Sequence, residues 1–122
     1  MKKLKTKWFN NWAVKNKIDN STLNEGISNL ENQLSAINLG SNLFKVRIAR
    51  KGSGKSSGYR TIIVYKANEK AIFIYGFSKN EQENINKTEL SMFKKLGKDL
   101  LNLTDSEIDK AINKKILHNL EV

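Results

Sequence analysis

Apolar residues in the first third of the chain recur at intervals of three and four, which is the spacing of an amphipathic helix. The spacing predicts a first helix over residues 5–16, with Trp8 and Trp12 on one face. Asp19 or Ser21 can cap a second helix, because either side chain can accept a hydrogen bond from a free backbone N–H. The apolar positions of this second helix are Leu23, Ile27, Leu30 and Leu34.

The pattern changes to alternation in the middle of the chain, which indicates a β-strand with one buried face. Phe44, Val46 and Ile48 alternate there with basic residues. Residues 37–43, which include a Gly-Ser pair, are predicted to be the connection that leads into this strand.

Two more strands are predicted over residues 59–66 and 71–77, because both segments are rich in β-branched and aromatic side chains. The short polar segment between them, residues 67–70, indicates a hairpin. The segment over residues 52–58 contains three glycines and three serines and is predicted to be a flexible loop.

Helical spacing returns in the last third of the chain. One helix carries Leu90, Phe93, Leu96, Gly97 and Leu100 at helical intervals. The segment 104–107, TDSE, fits a capping box ahead of a last helix with Ile108, Ala111, Ile112 and Ile116. Residues 118–122 are predicted to form a short final strand. The order predicts a single α+β domain over residues 1–122, with two N-terminal helices, a small antiparallel sheet of three to four strands and C-terminal helices.

Basic residues give the chain a formal net charge of +10, which favours a polyanionic partner such as nucleic acid. All three arginines fall within fourteen residues, and no Asp or Glu occurs between Glu31 and Glu69. Seven basic side chains lie in that interval: Lys45, Arg47, Arg50, Lys51, Lys55, Arg60 and Lys66. The arginine side chain is a rigid, planar fork that can bind phosphate through two hydrogen bonds. The concentration of the three arginines in this segment therefore predicts a phosphate-binding site.

Several classes of site are disfavoured by composition. The chain has no cysteine and one histidine, His118, so neither a thiolate or histidine metal site nor a Ser-His-Asp triad is predicted. The segment GSGKS at 52–56 resembles part of a nucleotide-binding P-loop, but position 49 is alanine and the loop leads into a strand. No membrane span or signal peptide is evident, so the cytoplasm is the expected location.

The basic segment has two interpretations. Charge runs are commonly solvated faces without a ligand. The tyrosines near it, Tyr59, Tyr65 and Tyr75, favour RNA instead, because unstacked bases lie on aromatic rings while cations hold the phosphates. Tyr65 and Tyr75 are also suited to a purely structural place in the core.

Two motifs carry a resemblance to a known family. The segment KVRIARKGSGKSSGYR at 45–60 and the segment FIYGFSKNEQENI at 73–85, followed by TEL at 88–90, resemble the RelE/HigB-type toxins of bacterial type II toxin–antitoxin modules. The resemblance implies a RelE-like fold and a small basic endoribonuclease, an mRNA interferase that cuts messenger RNA on the translating ribosome. It also implies a cognate, DNA-binding antitoxin as partner, without a metal or other cofactor.

The resemblance implies roles for individual side chains. In such cleavage the 2′-OH attacks the adjacent phosphate, and cations stabilise the added negative charge. Catalytic roles are expected for Arg50, Lys55, Arg60, Lys79 and Tyr75. RNA-binding roles are expected for Lys45, Arg47, Lys51, Tyr59 and Lys66.

Two features leave alternatives open. Some toxins of this type place a tyrosine or histidine where this chain has Phe77, so the general acid is not identified. A related branch of the same fold, the ParE-like toxins, poisons DNA gyrase without nuclease activity, and a non-catalytic nucleic-acid-binding protein would carry the same charge.

Overall fold

The computed structural model describes residues 1–49 and 58–120 of the 122-residue chain. Within those residues it contains four helices and six strands, so the α+β class predicted from the sequence is confirmed. The elements in chain order are β1 (Lys2–Thr6), α1 (Lys7–Lys15), α2 (Asn20–Glu31), β2 (Ala36–Gly40), β3 (Leu43–Ile48), β4 (Tyr59–Lys66), β5 (Lys70–Ser78), α3 (Lys87–Leu101), α4 (Asp105–Asn113) and β6 (Leu117–Asn119).

The six strands form one sheet in the order β2-β3-β4-β5-β1-β6. Neighbouring strands run antiparallel except β1 and β5, which run parallel. The sheet is therefore mixed, and larger than the small antiparallel sheet that the sequence predicted. The predicted β4–β5 hairpin is confirmed, with its pairing continuing to Lys66 and Lys70.

Strand β1 replaces the start of the first predicted helix. Helix α1 begins at Lys7, and the Thr6 hydroxyl caps it by accepting a hydrogen bond from the Phe9 N–H at 3.2 Å. The strand has a single apolar side chain after Met1, Leu4, which is 1% exposed. Its lysines are accommodated by α2, because the ammonium groups of Lys3 and Lys5 each donate to an asparagine side chain of that helix at 3.0 Å.

Strand β2 lies where the sequence predicted a connection. It pairs with β3 at the edge of the sheet and ends at Gly40, whose φ of 88° is left-handed. Ser41 and Asn42 are also left-handed, with φ of 55° and 63°. The predicted connection therefore contains a turn, but the residues just before this turn form a strand. Ile37 and Leu39 are the alternating apolar residues of this short edge strand, and Ile37 is 54% exposed, so the periodic signal is too short to predict a strand.

Two apolar clusters lie on opposite faces of the sheet. Helices α1 and α2 cover one face, where Phe9, Leu23 and Ile27 pack on Val46, Ile63 and Phe73. Helices α3 and α4 lie on the other face, where the buried residues include Leu43, Ile62, Ile72, Phe93 and Ile108. Leu34 and Ile116, which were predicted to continue helical apolar faces, lie beyond the ends of α2 and α4 and are 57% and 55% exposed.

Lys70 fixes the C-terminal end of α3 to the sheet. Its side chain is 8% exposed, and its ammonium group donates to the carbonyls of Leu101 at 3.1 Å and Leu103 at 2.6 Å. The last carbonyls of a helix have no partner within the helix, and a cation there also complements the helix dipole. Lys70 therefore satisfies groups that would otherwise be desolvated without a hydrogen bond.

Replacing Lys70 by Met should lower the free energy of unfolding by about 1–3 kcal/mol, because the aliphatic stem is kept while the carbonyls lose their donor. Urea denaturation followed by circular dichroism measures the change. Lys66→Met is the matched control in the same hairpin, since Lys66 is exposed and has only a surface ion pair with Glu69 at 3.1 Å. Equal losses in the two variants would contradict the assigned role of Lys70.

Candidate nucleic-acid interface

A groove with basic walls lies on the α3 face of the sheet, where β3 and β4 approach their shared connection. Four cations and one carboxylate line it: Lys45, Arg47, Arg60, Lys79 and Glu83. Ser35 and the start of β2 complete the wall, and the cavity volume is about 500 Å³. We call this site the cationic groove. Four of the ten residues predicted for the site therefore lie together.

The register of β3 and β4 explains how the arginines come together. Lys45 and Arg47 are two positions apart on β3, so their side chains share a face. Arg60 of β4 lies directly opposite Arg47 in the antiparallel register. Side chains in such a pair have Cβ atoms roughly 4.5–5.5 Å apart, and like charges in this position are destabilising.

The two arginines form an electrostatically strained pair. Burial, and after it the positive charge of Arg47, lowers the pKa of Arg60 from its usual range. Arginine nevertheless stays protonated at physiological pH, so both cations persist. The Arg60 guanidinium is held in place by donating to the Gly58 carbonyl at 3.3 Å. An arrangement that costs folding energy and concentrates fixed positive charge is suited to an anion that neutralises it.

The segment after β5, residues 79–86, forms the other side of the cationic groove. It begins with a turn in which the N–H groups of Glu81 and Gln82 donate to the Ser78 carbonyl at 3.1 and 3.2 Å. The Lys45 ammonium donates to Asn84 Oδ1 at 3.3 Å, which ties this segment to β3. Lys79 and Glu83 are thereby held beside the strands.

Glu83 was not predicted from the sequence. It is the only carboxylate among the described residues that line the cationic groove. The sequence gives little indication of its position, because Glu83 lies in a polar segment that also contains Glu81 two positions earlier. The pattern of residues alone does not show which of these two carboxylates faces the cations. The groove therefore pairs a possible proton acceptor with four cations.

Tyr75 lies outside the cationic groove but is connected to it through hydrogen bonds. Its ring stacks on Trp8 with centroids 4.6 Å apart and contacts Phe93 at 4.9 Å. Its hydroxyl donates to Gln82 Oε1 at 2.8 Å, and the Gln82 amide donates to the Asn84 carbonyl at 2.9 Å. The hydroxyl thus helps to position the segment that carries Glu83.

The protonation state of Tyr75 limits its chemistry. Burial raises the pKa of its hydroxyl, and the negative charge of Glu89, its hydrogen bond and the charge of Glu81 raise the pKa further. The shift is upward from 10.0, so the hydroxyl keeps its proton throughout the neutral range. Tyr75 is therefore a hydrogen-bond donor at neutral pH, and a phenolate base is excluded there.

A β-bulge sets the direction of Tyr75. The register between β4 and β5 shifts by one residue, so that Ile62 pairs with Tyr75 while Ile63 pairs with Phe73. The extra residue, Ile74, is buried in the same apolar cluster that Tyr75 borders. Bulges re-aim side chains in this way, and sequence alternation does not reveal them.

Two predicted RNA-binding residues are placed elsewhere. The Tyr59 side chain is 6% exposed and packs in the core under α1 and α2, with its ring against Trp12 at 5.3 Å. Its alternation with Arg60 sends it to the opposite face of β4, so it cannot stack a base in the cationic groove. Lys66 lies at the far end of β4 from Arg60, roughly 20 Å away for six residues of strand, and pairs with Glu69.

Three predicted residues, Arg50, Lys51 and Lys55, lie outside the described residues, as does the predicted loop from residue 52 to residue 57. Phe77, at the position where an acid–base group was sought, is 2% exposed and pairs with Arg60 in the β4–β5 register. In the part of the chain that the structure describes, no cluster of three His, Cys, Asp or Glu side chains could hold a metal ion. None of the helices described there is long and apolar enough to cross a membrane.

Comparison with protein-family models identifies a family. A family model described as the RelE toxin of the RelE/RelB toxin–antitoxin system matches residues 1–120. No curated protein and no solved structure matches the chain.

Proposed function

Since this chain belongs to the RelE toxin family, we propose that it is an endoribonuclease that cuts messenger RNA on translating ribosomes, in the cytoplasm. Family membership makes it the toxin of a toxin–antitoxin system, and its cognate antitoxin is therefore one partner. The ribosome and its messenger RNA would be the others. The observation that carries the proposal is the Arg47–Arg60 pair, facing a groove with two lysines and one carboxylate.

The groove contains the groups that phosphodiester cleavage by an internal nucleophile requires. The 2′-oxygen attacks the adjacent phosphorus while the bond from phosphorus to the 5′-oxygen breaks, giving a 2′,3′-cyclic phosphate and a 5′-hydroxyl. Glu83 accepts the proton of the 2′-hydroxyl. Arg47 and Arg60 stabilise the additional negative charge on the phosphoryl oxygens in the transition state.

The leaving 5′-oxygen takes its proton from one of the two lysine ammonium groups of the groove, Lys45 or Lys79. The proton acceptor, Glu83, and the two proton donors, Lys45 and Lys79, line the same cavity, which supports these assigned roles. Arg50, Lys51 and Lys55 belong to the connection between β3 and β4, whose described ends are Ala49 and Gly58. In this proposal they add phosphate contacts.

The test is primer-extension mapping of a reporter messenger RNA in a purified translation system, with and without ribosomes. We expect cuts within codons only when ribosomes translate the message. Cuts in naked RNA would keep the nuclease and remove the ribosome from the mechanism. Intact messenger RNA from a folded sample would contradict the proposal, and a parallel gyrase cleavage assay would then identify a ParE-like gyrase poison.

Tyr75→Phe separates the positioning role of the hydroxyl from the packing of the ring. We expect the rate of cleavage to fall by about 5- to 10-fold, which corresponds to one lost hydrogen bond of about 1 kcal/mol. The thermal midpoint should fall by no more than a few degrees, as the loss of one hydrogen bond implies, because the contacts with Trp8 and Phe93 remain. Single-turnover cleavage on programmed ribosomes measures the effect. A loss as large as that caused by removing a groove cation would instead make Tyr75 a direct participant in proton transfer.

A further inference from the structure

A second groove, on the α3 side of the sheet, is lined almost entirely by apolar side chains. It runs between α3, the β1–α1 junction and the segment that leads into β6, with a cavity volume of about 470 Å³. Four of its side chains are unusually exposed for their type: Trp8 at 47%, Met92 at 57%, Leu96 at 38% and Ile116 at 55%. We call this site the apolar groove.

The exposed residues of the apolar groove form a continuous surface. On α3 the lining positions 89, 92, 93, 96 and 100 recur at helical intervals, so they form one stripe. Beneath the exposed side chains, the buried residues Ile74, Phe93 and Leu117 form a packed floor. Single exposed apolar residues are ordinary on protein surfaces, whereas a contiguous apolar cleft marks a site of association.

The dimensions of the groove fit a helix. Twelve residues of α3, from Glu89 to Leu100, span roughly 16 Å at a rise of 1.5 Å per residue. That length accommodates about three turns of a partner helix with apolar anchors at positions i, i+3 or i+4, and i+7. RNA is a poor occupant, because Lys7 is the only cation among the described residues that line the apolar groove.

The ten residues outside the described ranges do not supply this occupant, because they contain a single apolar side chain, Val122, and cannot provide three helical anchors. The carboxylate in the groove, Glu89, is engaged in the capping box of α3 with the Asn86 N–H at 2.9 Å. Lys7 and the net charge of +10 favour an occupant whose polar flank is acidic.

We propose that the apolar groove, with Trp8, Met92, Leu96 and Ile116 as its anchors, binds an acidic amphipathic helix of the cognate antitoxin. The antitoxin is a partner by family membership, so the inference does not depend on the nuclease mechanism. Such a helix would contact Tyr75, which lines the apolar groove and whose hydroxyl holds Gln82 beside the cationic groove. Antitoxin binding would therefore act on the segment that carries Glu83 from the other side of β5.

The test uses charge introduction at two exposed groove positions, Met92→Glu and Leu96→Glu, each compared with Val14→Glu. Val14 is a matched control, because it is 70% exposed on α1 and does not line the groove. The probe is the antitoxin encoded beside the toxin gene, purified and titrated calorimetrically into toxin. Toxin that also carries Arg60→Met is used, so that binding is measured without toxicity during production.

We expect Met92→Glu and Leu96→Glu each to weaken antitoxin binding by at least 50-fold, and Val14→Glu to change it less than 3-fold. In cells that co-express the antitoxin, otherwise wild-type toxin with either groove substitution should arrest growth. Unchanged antitoxin affinity in both groove variants would overturn the proposal. A wild-type dimer that the groove substitutions convert to monomer would also overturn it, since a second copy would then be the occupant. Intact messenger RNA in the cleavage assay would bear only on the proposed function, because the titration does not use activity.

Discussion

Replacing Arg60 by Met should reduce cleavage on programmed ribosomes by about 10³-fold or more, in the range reported for arginines that stabilise a phosphoryl transition state. Arg60 lies opposite Arg47 and faces the cationic groove, so its loss removes one of the two guanidinium groups among the described residues that line this groove. The methionine keeps most of the apolar stem. Single-turnover rates measured with saturating toxin isolate this effect from ribosome binding.

The same substitution should leave the fold intact or stabilise it. The Arg47–Arg60 repulsion is present only in the folded state, so relieving it should raise the free energy of unfolding by up to about 1 kcal/mol. Lys66→Met is the control for activity, because Lys66 lies on the same strand and face but far from the groove. Arg60→Lys should retain part of the activity, because it keeps the charge and loses the planar fork. A folded Arg60→Met variant with the wild-type rate would refute the assignment.

Replacing Glu83 by Gln should lower the cleavage rate by about 10²- to 10⁴-fold, the usual contribution of a positioned general base. The amide has the same shape as the carboxylate and cannot accept the proton of the 2′-hydroxyl. Single-turnover cleavage on programmed ribosomes measures the rate, and circular dichroism checks that the variant is folded.

Glu81→Gln is the matched control for Glu83, since Glu81 lies two residues away and accepts a hydrogen bond from the Ser78 hydroxyl at 2.9 Å instead of lining the cationic groove. It should change the rate less than 5-fold. A 2′-deoxynucleotide at the cleavage position should abolish cutting by the wild type, as attack by the 2′-hydroxyl requires. If Glu83→Gln keeps the wild-type rate, the proton acceptor is another group.

The sequence predicted the elements that carry a clear apolar signal. Strand β3 and helices α2, α3 and α4 bury a periodic face, and the predicted caps at Asp19 and Thr104 are confirmed. Strands β4 and β5 are buried on both faces, and their β-branched and aromatic residues were sufficient to predict them. Strands β1 and β2 were not predicted, and the reason differs between the two strands. The lysines of β1 find asparagine partners on α2, and β2 is an edge strand stabilised by its pairing with β3.

The candidate site was predicted where its residues lie on regular strands. Alternation is enough to place Lys45, Arg47 and Arg60 on one face, and the same alternation sends Tyr59 into the core. Glu83 could not be predicted, because it comes from an irregular segment whose direction depends on the turn at Ser78 and the bond from Lys45 to Asn84. The position of Tyr75 depends on the bulge at Ile74, which exists only in the paired strands.

The place of β1 in the sheet has a consequence for the order in which the chain can fold during its synthesis. Lys2 pairs with Lys70, and Thr6 pairs with Leu117. Strand β1 therefore cannot pair until β5 and β6, which are synthesised much later, are available. Such distant pairings are slow to form, since the intervening loop must close first. The β1–β6 pair cannot form before Leu117 has been synthesised. A nascent chain therefore lacks its complete sheet until both Lys70 and Leu117 have left the ribosome that produces it.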